Sequence, residues 1–143
     1  MTATPKPDTE KHLDVHVLDE QGDFEVDIER YRRLATSVLT GEGVTQVCEL
    51  SITFVSSQSI AALNEQHMGY QGHTDVLAFP IDEHSTPSPN PTDSPLLLGD
   101  VVVCPAVAAD NCLTNKDSYP GHQGSLTDEI DLLVVHGILH VLG

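Results

Sequence analysis

The chain has 143 residues, enough for one ordinary domain, and an apolar fraction of 39% with no Trp and three Phe leaves the core to Leu, Val, Ile and Ala. Twenty-two acidic residues against six basic ones give a formal charge of −16, which excludes indiscriminate binding to nucleic acid or anionic membrane. Cys48, Cys104 and Cys112 contain no CxxC pair, and neither a leader-like apolar stretch nor a run of about twenty apolar residues occurs, so a disulfide scaffold, a cysteine zinc site, secretion and membrane insertion are disfavoured and a soluble cytoplasmic protein is expected.

Residues 1–11 mix Pro, Thr, Lys and acids without periodicity, which predicts a disordered tail ahead of a single domain over 12–143. Leu13, Val15 and Val17 alternate with polar residues and close on Gln21-Gly22, the pattern of a strand and a turn. Ile28, Tyr31, Leu34 or Ala35, and Val38 share one stripe ahead of Gly41 and Gly43, so an amphipathic helix is expected over 27–40. Leu50, Ile52 and Phe54 then alternate with Glu49, Ser51 and Thr53, which predicts a strand with one wet face. A short helix follows, capped by Ser57 or Ser59, running through Ile60, Leu63 and His67 and stopping at Gly69. TDVLAFPI and LLLGDVVVCPAV read as two further strands, and the four prolines between them predict a dispensable loop over 84–95. From Pro105 an Ala- and Val-rich segment turns helical towards Leu113.

The stretch SLTDEIDLLVVHGILHVLG carries the strongest helix pattern. Ser125 and Asp128 have capping-box spacing, and Asp128, Glu129 and Asp131 suit the positive end of a helix dipole. The remainder is apolar nearly all round, which predicts a buried helix without a wet face. His136 and His140, four apart, project from one face and can reach a single metal ion. Two satisfied core histidines beside a packing glycine, Gly137, fit the helix equally well. His12 and His16 have the same spacing in a predicted strand, where four residues span roughly 13 Å, so that pair cannot share an ion. Gly137 stands where an HExxH peptidase carries its Glu, so zincin-type proteolysis is disfavoured, and a glycine inside a helix points to close approach by a second segment or a substrate.

Taken together, LNEQHMGYQGHTDVLAFP, LLLGDVVVCP and DEIDLLVVHGILHVLG resemble, in order and spacing, three blocks of the YbeY family of metal-dependent endoribonucleases and ribosomal RNA maturation factors. The resemblance covers about the C-terminal half. It implies zinc ligation by His136 and His140, with the family's third histidine falling six positions after His140, beyond Gly143; a chain short of its third ligand is the expectation. Met68 stands where many members carry an Arg thought to hold RNA, His73 replaces a Pro and Ala78 a Ser, while Thr74 and Asp75 match. Asp75 either orients a ligand histidine or orders its own loop. Should the short chain bind zinc tightly, His67, His73, Asp75 and His122 are the residues among which a third ligand would be sought.

The fold implied is α/β, a four-stranded mixed sheet packed with helices around a central metal-bearing helix, zincin-like. The function implied is single-strand-specific processing of ribosomal RNA, including the small-subunit RNA end, on the ribosome or its small subunit, with one Zn2+ as cofactor. A non-catalytic ribosome-assembly factor binding RNA or a ribosomal protein is the alternative, favoured by the −16 charge and Met68. A metal-dependent hydrolase of small molecules or peptides rests on analogy alone.

Overall fold

A computed structural model describes residues 12–68, 74–82 and 95–143. The expected tail over 1–11, the stop at Gly69, the substitution at His73 and all but the last residue of the loop expected over 84–95 lie outside the described residues.

In chain order the elements are β1 (Leu13–Asp19), α1 (Ile28–Gly41), β2 (Cys48–Phe54), α2 (Ser57–Met68), β3 (Val76–Pro80), β4 (Leu96–Val103), α3 (Pro105–Asn111) and α4 (Leu126–Leu142). The strands form one sheet in the order β1-β2-β4-β3, with β1, β2 and β4 parallel and β3 antiparallel to β4. This is the four-stranded mixed sheet that the sequence implied. Strand alternation sorts its side chains between two faces. Val15, Val17, Leu50, Ile52, Phe54, Val101 and Val103 turn towards α1 and α4 in the main core, together with Tyr31, Leu39, Val134 and Ile138. The opposite face carries a smaller core, in which Val55, Leu77 and Val102 meet Ile60 and Leu63 of α2.

Local signals place the helix ends. Asp27 caps α1 by accepting from the Arg30 backbone N–H at 3.1 Å, and Ser125 caps α4 by accepting from Asp128 N–H at 3.1 Å. At α2, the Ser59 N–H bonds the Ser56 hydroxyl at 3.2 Å, so the hydroxyl at the helix start comes from one residue earlier than expected. Inside β4, Leu98 is an extra residue between the pairs Glu49–Leu97 and Leu50–Gly99, a bulge. Gly99, at φ +151°, lies so close to β3 that a Cβ there would stand 2.3 Å from the Phe79 carbonyl oxygen. Only glycine permits this approach.

Helix α4 lies across β3 and β4 and also packs on α1 and α3, so it is the hub of the main layer. At Gly137 an added Cβ would meet Val101 Cγ1 at 2.5 Å and Val76 Cγ2 at 3.3 Å. The close approach inferred from this glycine is therefore made by the sheet. Arg30 of α1 donates from Nε to Asp131 Oδ1 at 3.0 Å and from Nη2 to Oδ2, a two-pronged clasp between the first and last helices. The Asp131 carboxylate pushes the Arg30 guanidinium pKa upward, while burial first, then Asp131, raises the Tyr31 phenol.

Candidate metal-binding helix and its surroundings

Helix α4 buries Glu129, Ile130, Leu133, Val134, Gly137, Ile138 and Val141. The residues between them form an open stripe: Leu132 and Val135 are half-buried, Leu139 is 40% exposed, and His136 and His140 face solvent. This corrects the expectation of a helix without a wet face. The sheet needs only one side of α4, and the apolar residues on the outer side stay open.

On that stripe the two imidazoles meet. His136 Nε2 and His140 Nε2 are 3.0 Å apart, with ring centroids at 4.6 Å. Two imidazole nitrogens bound to one tetrahedral zinc at 2.0–2.1 Å stand about 3.3 Å apart. The pair thus has a donor set and separation that fit one shared ion with minor side-chain movement. One turn of helix fixes the spacing, and burial of Val134, Gly137 and Ile138 behind it fixes the direction in which both rings point.

The other residues singled out from sequence lie elsewhere. Asp75 accepts the Cys104 N–H on its backbone carbonyl at 2.9 Å, and its carboxylate hydrogen-bonds neither His136 nor His140. His67, on α2, packs edge-on against Phe79 of β3, with centroids 5.1 Å apart. His12 bonds the Val44 carbonyl at 2.9 Å, and His16 pairs with Asp14, so these two histidines are separately engaged. Among the described residues, no third His, Cys, Asp or Glu completes a three-donor group with His136 and His140.

His122 is fully committed to a buried network that the sequence did not reveal. Its Nε2 lies 2.9 Å from Glu129 Oε1, and its Nδ1 accepts the Gly124 N–H at 3.0 Å. A ring nitrogen accepting from a backbone amide carries no proton, so the Nε2–H must donate to Glu129. Asn115 Nδ2 donates to the other carboxylate oxygen, Oε2, at 2.8 Å. His122 is 1% exposed and Glu129 0%, so the carboxylate is satisfied wholly by protein donors at the positive end of α4. The legible signal was an acid in phase with Leu133 and Gly137 on an apolar helix. Its partners come from the 112–124 segment, where no periodicity marks them. Asp128 accepts the Gln123 N–H at 2.9 Å, and this bond, followed by that of Ser125, lowers its carboxyl pKa.

Fold and helix together define an α/β protein whose mixed sheet carries a solvent-facing imidazole pair on its principal helix. The sequence profile described as "Endoribonuclease YbeY" matches residues 16–143. Endoribonuclease YbeY of Thermobifida fusca is 43% identical over 131 residues, covering 92% of this chain and 79% of the relative. That of Salinispora tropica is 42% identical over 136 residues, covering 92% and 82%. The chain belongs to the Endoribonuclease YbeY family. In fold it is similar to the solution structure of TM1509 from Thermotoga maritima, with a TM-score of 0.57 at 23% identity over 90% of this chain and 72% of that one.

Proposed function

We propose that this protein is a metal-dependent endoribonuclease that hydrolyses single-stranded ribosomal RNA, acting in maturation and quality control of the small subunit in the cytoplasm, with His136 and His140 as imidazole ligands of a zinc ion. Family membership supports the reaction class. The 3.0 Å approach of the two Nε2 atoms on the open stripe of α4 is the observation that carries the metal assignment. A zinc ion held there would supply Lewis acidity towards a phosphoryl oxygen and acidify a water ligand. The chain's own part is to hold both imidazoles on a helix fixed by its contact with Val101 and Val76. Asp75 is assigned the ordering of the approach to β3 through its carbonyl.

A non-catalytic role in ribosome assembly is the second reading, favoured by the formal charge of −16, which opposes capture of free RNA. The two separate on purified RNA without ribosomal proteins. The chain, and a version extended to the family's third histidine, are stripped with chelator and assayed before and after zinc is restored. Zinc-restored cleavage by the extended version, and zinc affinity at least tenfold weaker in His140→Ala, are expected. Equal zinc affinity with and without His140 would overturn the metal assignment, and zinc binding without cleavage would leave the assembly role. No helix among the described residues is long and apolar enough to cross a membrane.

A further inference from the structure

The face of the sheet turned away from α4 carries, at its β1 edge, a second group of metal-ligating side chains. Asp14 and His16 are two apart on β1 and share that face, and Glu49 of β2 is the direct cross-strand partner of Asp14. One donor atom from each of the three lies within 4.8 Å of the other two, and His16 Nε2 is 3.2 Å from Asp14 Oδ2. Donors around one ion at about 2.1 Å stand up to about 4.2 Å apart, so small rotations of these side chains close the group. This is the one such three-donor group among the described residues.

The pairing itself is unfavourable without a cation. Like charges on directly opposed strand residues destabilise a sheet, yet Asp14 and Glu49 occupy that relation at the second pair of the parallel ladder. Among the described residues no Lys or Arg forms an ion pair with either carboxylate. A site with one imidazole and two carboxylates suits a borderline first-row divalent ion such as Zn2+ or Mn2+ better than the all-oxygen shells of Mg2+ or Ca2+. We propose that Asp14, His16 and Glu49 bind a divalent transition-metal ion, at a site separate from the α4 histidines and on the opposite face of the sheet.

Zinc itself is the probe, with the full chain in every arm. His136→Ala/His140→Ala removes the α4 pair, and calorimetric titration of that variant at pH 7.5 should still show one zinc per chain. Adding His16→Ala, or Asp14→Asn with Glu49→Gln, should weaken this binding at least tenfold; Asp14 and His16 are exposed and Glu49 half-buried, and circular dichroism checks the fold. In the first variant, zinc should also shift the ring-proton NMR signals of His16 while leaving those of His12, engaged with Val44, in place. No zinc binding after loss of the α4 histidines, or binding indifferent to His16 and Glu49, overturns the proposal. Failure of the α4 assignment registers separately, because in Asp14→Asn/Glu49→Gln the remaining binding must then survive His140→Ala.

Discussion

Gly137 is where α4 touches the sheet, with Val101 Cγ1 2.5 Å from the position a Cβ would take. Gly137→Ala must displace α4 or Val101, and overpacking of this kind costs about 1–3 kcal/mol. Urea unfolding of the variant should show that loss. Gly137→Glu, which writes HExxH, directs a carboxylate into the same contact; it should unfold more readily still and show no peptidase activity in a casein assay. Cys48 offers a pH test. Its folded pKa lies near 11 against an ordinary value near 9, so the unfolded chain loses the proton first, and the stabilisation present below pH 9 declines as pH rises through 11. The full loss corresponds to about 3 kcal/mol. Denaturation midpoints at pH 8 and pH 10.5 should diverge more in the wild type than in Cys48→Ala; equal divergence in the two would remove the thiol as a cause.

At the scale of elements, α4 is held at its first turns by Glu129, which accepts from both His122 and Asn115. Only a carboxylate accepts from two donors on its two oxygens. Glu129→Gln turns an amide N–H towards one of them and should cost about 1–3 kcal/mol despite its matched shape. A thermal midpoint equal to that of the wild type would show that the Asn115 amide turns over to accept from the new N–H, leaving both bonds in place. The same helix shows how far sequence reaches. Its existence and cap were legible because Ser125, Asp128 and the apolar run are local features. Its open stripe was not, because Leu132, Val135 and Leu139 are as apolar as the residues beneath them, and only the position of the sheet decides which side is covered. The first two strands were likewise readable from alternation, while the order β1-β2-β4-β3 depends on parallel pairings between distant segments that leave no local trace. The His136–His140 pair was visible as spacing, whereas Asp14, His16 and Glu49 come together only through strand register.

For the molecule as a whole, the β3–β4 hairpin is closed by its own backbone. Ile81 N–H bonds Leu98 O at 3.0 Å, Asp82 N–H bonds Leu97 O at 2.9 Å, and the Asp82 carboxylate accepts Leu97 N–H at 2.9 Å. The register therefore does not rely on the connection beyond these bonds. Replacement of residues 84–95 by a short Gly-Ser linker should leave the thermal midpoint within a few degrees; a large fall would show that the connection is a packed element. The clasp of Arg30 on Asp131 joins residues 101 positions apart, and α4 covers the strands that precede it. During synthesis, Val101, Val103 and the inner faces of β2 and β4 consequently have no lid until the segment after Ser125 has left the exit tunnel. Nascent chains arrested before that point should bind holdase chaperones and yield to protease throughout. Once residues 126–142 are clear of the ribosome, α1 and α4 can lock together through Arg30 and Asp131.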